Sequence, residues 1–255
     1  MTPARRPLVI VAAVAGVATI VAAWLAPAAL VDSRLAQITG GGVRLVDTEG
    51  TVWRARGNLV AGTARMSVAW RLEAWPLLRR ELRFHLVPDA STVGESPRAG
   101  IAIVGGRVSF RDVDATFPAA LFAAAAGPGA PWVVGGNVRV NAVAMNWAPP
   151  SSDGEAHVQW RQARLAAVQS TVSLDLGDVS LPLKADGDRL FGTVSNDGGD
   201  LSVRGDFTFG ATEGAEVSLL LTPRRADNVD LVQVLSVLGT AEGTGWRIRW
   251  KRPIR

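Results

Sequence analysis

Gly105-Gly106-Arg107-Val108-Ser109-Phe110-Arg111-Asp112-Val113-Asp114-Ala115-Thr116-Phe117-Pro118 is answered thirty residues later by Gly135-Gly136-Asn137-Val138-Arg139-Val140-Asn141-Ala142-Val143-Ala144-Met145-Asn146-Trp147. Apolar side chains correspond at 108/138, 110/140, 113/143, 115/145 and 117/147. Alternation of this kind belongs to a half-buried strand, whose side chains point to opposite faces in turn. Each copy changes parity midway, from even positions to odd. A one-residue slip would turn every following side chain over, so the pattern predicts a bulge or tight turn inside each copy. A weaker third copy starts at Gly154, with Ala156 and Val158 followed by Ala163 and Leu165. The same shift recurs between Val172, Leu174, Leu176 and Val179, Leu181, Leu183, around Gly177-Asp178. The repeat reads as hairpins added one after another.

Working outward, Ala64, Met66, Val68, Trp70 and Leu72 alternate with Arg65, Ser67 and Arg71. Arg83 to Val87 carries Phe84 and Leu86 on one face. Leu190–Val194, Leu201–Phe209 and Glu216–Leu221 complete the strand pattern, with Asn196-Asp197-Gly198-Gly199 as a hairpin turn. A final strand sets Trp246, Ile248 and Trp250 against Arg247, Arg249 and Lys251. Two helices interrupt. One runs from Phe117 to Ala126 and stops at Gly127-Pro128. The other runs from Asp227 to Leu238, with Leu231, Val234, Leu235 and Leu238 at helical spacing and Gly239 as its stop. A brief helix over Asp32–Gln37 ends at Gly40-Gly41-Gly42. Ten or so short strands with one or two short helices predict a mainly β fold: a curved antiparallel sheet, a partial barrel or a sandwich.

The N-terminus differs in kind. Leu8 to Leu25 is the unbroken apolar run LVIVAAVAGVATIVAAWL. As a helix it spans about 27 Å, close to a hydrocarbon core. Arg5 and Arg6 precede it, which keeps that end cytoplasmic. The expected organisation is a cytoplasmic tail at 1–7, a transmembrane anchor at 8–30 and a periplasmic mainly β domain at 31–255. Ala26-Pro27-Ala28 also offers a cleavage pattern after Ala28. The apolar run is longer than an ordinary signal core, which favours an uncleaved anchor. Both readings put the body in the periplasm.

Composition narrows the chemistry. The 255 residues contain 27 Lys+Arg against 23 Asp+Glu, for a net charge of +4. The charges are scattered rather than gathered in a stripe, so no nucleic-acid partner is expected. Cysteine is absent, which excludes disulfides and thiol chemistry. With only two histidines, His85 and His157, no metal site and no cofactor is expected. His157 shares strand parity with Asp153 and Glu155, but on the solvent face and without an oriented nucleophile. No catalytic residue is nominated and the chain is not read as an enzyme.

Gly50-Thr51-Val52-Trp53, followed by Trp70-x-Leu72-x-x-Trp75-Pro76-Leu77-Leu78, resembles the type II secretion system protein N family, also called general secretion pathway protein N. The Gly-x-Val-x-Val hairpins, Leu-Gly-Asp at 176–178, Gly-Gly-Asp-Leu at 198–201 and the late amphipathic helix fit the same resemblance. Family members often carry a small residue or Gly where this chain has Ala55. The resemblance implies a single-pass inner-membrane protein, an accessory component of the machine that exports folded proteins across the outer membrane. Its partners would be other secretion components, its membrane contact residues 8–25, and no catalytic residue carries over.

Within these motifs Trp53 reads either as a partner-binding aromatic or, preferably, as a core anchor beside the Gly50-Thr51 turn. Trp70 reads as core, and Trp75 before Pro76 as interfacial or buried. Arg247, Arg249, Lys251, Arg252 and Arg255 form the one basic cluster. It reads as a docking surface for headgroups or an acidic partner, or as the charged face of an edge strand. The competing functional reading is a periplasmic carrier of lipid or another apolar ligand, held in a β-groove. An open, apolar-lined groove would support it, and a core filled by Trp and Phe would oppose it.

Overall fold

The computed structural model describes residues 26–73, 76, 81–87, 98–125, 132–167, 173–225 and 229–252. Of the expected anchor at 8–30, residues 8–25 lie outside them, and Ala29 and Leu30 open a helix of the described fold. Among the described residues no helix is long and apolar enough to cross a membrane.

Among the described residues the alternating segments form one antiparallel sheet of 14 strands that does not close. In chain order these are β1 (Arg44–Thr51), β2 (Arg54–Ala61), β3 (Ala64–Glu73), β4 (Glu81–Val87), β5 (Arg98–Val104), β6 (Arg107–Pro118), β7 (Trp132–Trp147), β8 (Ser152–Ala167), β9 (Ser173–Gly187), β10 (Arg189–Asp197), β11 (Leu201–Gly210), β12 (Gly214–Pro223), β13 (Thr240–Glu242) and β14 (Gly245–Arg252). Each strand pairs with the next except near the end, where β14 inserts between β12 and β13. Among the described residues three short helices accompany the sheet: α1 (Ala29–Ile38), α2 (Ala119–Ala125) and α3 (Val229–Leu238). Of the three expected arrangements the curved antiparallel sheet is the one found, as a single open layer, and α1 contains the brief helix expected over Asp32–Gln37. Phe117 and Pro118 finish β6 rather than open α2.

Parity shifts become bulges, and the strands run through them. In β6 the shift falls at Asp112, whose φ of 48° is left-handed, with the register against β5 slipping between Arg98 and Gly100. In β8 it falls at Gln162, φ 50°, and in β9 at Gly177, φ 67°. Asp178 accepts a hydrogen bond from the Gln162 amide at 2.8 Å, pinning the two bulges together. In β7 the shift comes later than the repeat implies. Ala142 is buried at 5% exposure, whereas Val143 is 78% exposed. The cause lies on the neighbouring strand. The β7–β8 register slips between Asn141 and Met145, opposite Gly154, which has φ 106°. Gly135-Gly136 is likewise a bulge inside β7 rather than a turn, with Gly136 at φ 90°.

One face of the sheet carries the apolar side chains. Cross-strand partners such as Val158–Leu181, Gly205–Leu219–Ile248 and Val203–Leu221–Trp246 continue it from strand to strand. A single layer buries this face only by curling and by laying helices on it. Trp147 on β7 and Phe209 on β11 have ring centroids 5.3 Å apart. Four strand spacings separate β7 from β11, roughly 19 Å along a flat sheet, so the sheet curls sharply there. At the first end, Val31 and Leu35 of α1 pack on Ala28, Leu45, Ala55, Val68 and Trp70. Leu121 of α2 closes against Val43 and Ala61. At the other end, Leu231 and Leu235 of α3 sit on Leu174, Leu176, Leu201 and Val203. Leu201 and Leu235 are fully enclosed.

Candidate functional site

The segment Gly50-Thr51-Val52-Trp53 builds the tip of the β1–β2 hairpin. Thr51 pairs with Arg54, leaving Val52 and Trp53 as the two turn residues. The strand therefore runs through Gly50-Thr51, and the turn lies one step beyond the expected position. Gly50 faces Ala55 in register and has φ 109°. A Cβ on Gly50 would stand 2.4 Å from the Arg54 carbonyl and 3.0 Å from the Ala55 Cα. Glycine is required there on both counts. Alanine is thus accommodated at position 55 because the close approach is granted from the Gly50 side.

Main-chain groups at this tip are held from both sides. On one side, the Val52 amide donates to the Ala26 carbonyl at 2.9 Å, and the Ala28 amide donates to the Gly50 carbonyl at 3.3 Å. Pro27 forms an isolated antiparallel bridge with Thr51. On the other side, the Trp70 indole Nε1 donates to the Val52 carbonyl at 3.0 Å, and the Leu72 amide donates to the Trp53 carbonyl at 2.6 Å. The tip therefore fastens the chain leaving the N-terminal apolar run to the first three strands. Trp70 is buried at 4% exposure, and its ring packs in the same cluster as Ala55 and Val68. Trp53 is half-buried at the turn rather than a member of that core. Pro76 is buried, and Trp75 lies outside the described residues.

The outer face beside the tip is basic. Arg54 and Arg71 are exposed and stand directly opposite each other across β2 and β3. Like charges in this position repel. Among the described residues neither forms an ion pair, whereas neighbouring Arg56 reaches Glu49 at 2.6 Å. Arg71 faces His85 on its other side, and His85 Nε2 lies 3.0 Å from Glu73. At the other end of β1 from the tip, Asp32 on α1 accepts from Arg44 at 2.6 Å and from the Leu45 amide at 2.7 Å. The Arg44 guanidinium, with the Leu45 amide, holds the Asp32 carboxyl below the usual carboxylate range. The contact fastens α1 to β1.

The C-terminal cluster is dispersed by its partners. Arg247 makes a forked pair with Glu242, one arm at 2.6 Å, and also donates to Ser218 at 3.2 Å. That pairing lowers the Glu242 pKa and raises that of Arg247. Lys251 lies 3.4 Å from Glu216. Arg249 is exposed on the outer face, and the Arg252 side chain lies outside the described residues. β13 covers only Gly245–Arg247 of β14, so the expected edge strand is an edge from Ile248 onward. Trp250, on the apolar face, remains 50% exposed.

The carboxylates near His157 do not converge. His157 Nε2 lies 2.8 Å from Ser180 Oγ, and Asp153 accepts from Asn146 at 3.2 Å. Among the described residues no group of three His, Asp or Glu side chains is placed to hold a metal ion. A cavity of about 610 Å³ opens over β7–β10. Its lining mixes Val143, Pro182 and Phe191 with Glu155, His157 and Lys184. Apolar and charged groups thus share this lining. The apolar face itself is crossed by Trp147 and Phe209 in contact, which opposes an open groove.

The residues that sequence reasoning passed over are Arg54 and Arg71. Their signal was present in the alternation: both are outward-facing positions beside a tryptophan turn, and strand pairing makes them neighbours. Comparison with curated proteins returned no match, and neither did comparison with solved structures. The family model for type II secretion system (T2SS), protein N, matches residues 41–249. The match spans the sheet from just before β1 into β14 and includes the Val52-Trp53 tip, Trp70 and α3, so this chain belongs to the type II secretion system protein N family.

Proposed function

We propose that this chain is an accessory inner-membrane component of the type II secretion system that contributes to export of folded proteins through non-catalytic contacts in the periplasm. The observation that carries the reading is the family match over residues 41–249. The apolar run at 8–25, with Arg5 and Arg6 before it, supports a single-pass anchor with the N-terminus in the cytoplasm. The tip supports it too, since the chain emerging at Ala26 is bonded at once to Gly50 and Val52. A one-layer sheet with charged groups distributed along its outer face is suited to holding partners by surface contact.

In vivo crosslinking, gentle solubilisation of envelopes and mass spectrometry of the bound proteins and lipids test the proposal. Recovery of other secretion components, without stoichiometric lipid, is expected. Phospholipid at one per chain, with no secretion component, would overturn it in favour of a lipid carrier.

A further inference from the structure

We infer that the β1–β2 hairpin tip rests on the surface of the anionic bilayer, with Trp53 at headgroup level and Arg54 and Arg71 against lipid phosphates. The inference rests on the proposed membrane anchor.

The argument begins with where the chain leaves the described residues. The apolar run ends at Leu25. One residue later the Ala26 carbonyl accepts from the Val52 amide at 2.9 Å. If residues 8–25 span the bilayer, no linker separates the membrane surface from the hairpin tip. Many single-pass anchors are followed by slack chain that leaves the domain free to tumble. Here the tip is held by two hydrogen bonds to Ala26 and Ala28 and by the Pro27–Thr51 bridge.

The second line of argument is chemical. Trp53 is half-buried at the outermost turn, and an amphipathic indole favours the boundary between headgroups and hydrocarbon. Arg54 and Arg71 face each other across the strands at the same end, exposed and without an acidic partner among the described residues. Two opposed guanidiniums are unfavourable in isolation, and a shared phosphate relieves the repulsion. Arg56, one pleat further from the tip, is instead paired with Glu49. Glu73, two residues beyond Arg71 at the same end, is engaged by His85 at 3.0 Å and Arg83 at 3.8 Å, which leaves Arg54 and Arg71 as the pair without an acidic partner there.

The natural sequence has no cysteine, so single reporters are clean. The full chain is reconstituted in nanodiscs of phosphatidylcholine, with or without about one-third phosphatidylglycerol. A spin label is placed at Val52→Cys or at Thr63→Cys. Thr63 lies in the β2–β3 turn, beyond the 8 residues of β2 and about 27 Å from the tip. Label 52 is expected to collide with lipid-dissolved oxygen in anionic discs, and label 63 with aqueous relaxant. Arg54→Gln with Arg71→Gln is expected to lower the docked-to-free ratio about 25-fold, roughly fivefold per arginine. High salt is expected to reduce that difference. Circular dichroism of the variant confirms its fold.

Three results overturn the proposal. Label 52 remains as water-exposed as label 63 while the chain stays in the disc; this leaves the anchor reading intact. The tip reaches lipid equally well with both arginines replaced, which removes the phosphate contact. Or the full chain fails to enter nanodiscs at all, in which case the anchor reading falls with it.

Discussion

Replacing Trp70 by phenylalanine isolates one hydrogen bond that joins the family motif to the core. The indole Nε1 donates to the Val52 carbonyl at 3.0 Å, and the ring is buried at 4% exposure. Phenylalanine keeps most of the packing but leaves Val52 without that donor. An unsatisfied, partly buried carbonyl costs about 1–3 kcal/mol. The missing part of the indole adds a small cavity, worth about 1 kcal/mol. The sum predicts a loss of about 2–4 kcal/mol. Trp70→Ala, which also surrenders the ring, should cost about 3–5 kcal/mol. Urea unfolding followed by circular dichroism measures both. Amide exchange supplies the local readout, because the Val52 and Leu72 amides at the tip should exchange faster in Trp70→Phe than amides of β9 to β12. If Trp70→Phe falls within 0.5 kcal/mol of the native chain, and the tip amides keep their protection, the bond does not fasten the tip and the reasoning fails.

Gly50→Ala forces a side chain into φ 109° and against the Arg54 carbonyl; a loss of about 2–4 kcal/mol is expected in the same urea assay. Leu235→Ala empties a fully enclosed position under α3 and should cost about 2–5 kcal/mol; a small change would mean that α3 does not close that end. Val143→Asp should be neutral within about 0.5 kcal/mol, whereas Ala142→Asp should lose several kcal/mol, because only the latter faces the core. Equal effects would return the β7 parity shift to the position the repeat implies. Asp32 has a depressed folded-state pKa, so its contribution is present above the ordinary carboxylate value of 3.8 and is lost as pH falls through the folded value. The urea midpoint gap between the native chain and Asp32→Asn should therefore be open at neutral pH and close in strong acid; a gap independent of pH would refute the pairing with Arg44.

Some elements were legible because their causes are local. Period two in β3 follows from the pleat, and Ala64, Val68 and Trp70 face the way the alternation says. The helical spacing of Leu231 and Leu235 placed α3, and the parity breaks at Asp112 and Gln162 marked real bulges. Trp70 as core was readable from its neighbours alone. What eluded the sequence was pairwise. Val143 turns outward because Gly154, on the next strand, takes the slip. Trp53 is only half-buried because the turn falls at Val52-Trp53, a position set by the pairing of Thr51 with Arg54. Arg247 is neutralised by Glu242 through a hairpin whose register no periodicity specifies.

The residues by themselves thus determined that this chain alternates in and out along many short strands, that one face is apolar, and that its motifs are those of the protein N family. Those properties reside in side-chain order along the chain. Whether the apolar face would meet a second sheet, close into a barrel or curl upon itself was decided only by the tertiary structure. Closure depends on the twist and bulges accumulated over fourteen strands and on helices α1, α2 and α3 covering the ends. Contacts such as Trp147 on Phe209, or Val52 on Ala26, arise from that accumulated geometry between residues far apart in the chain.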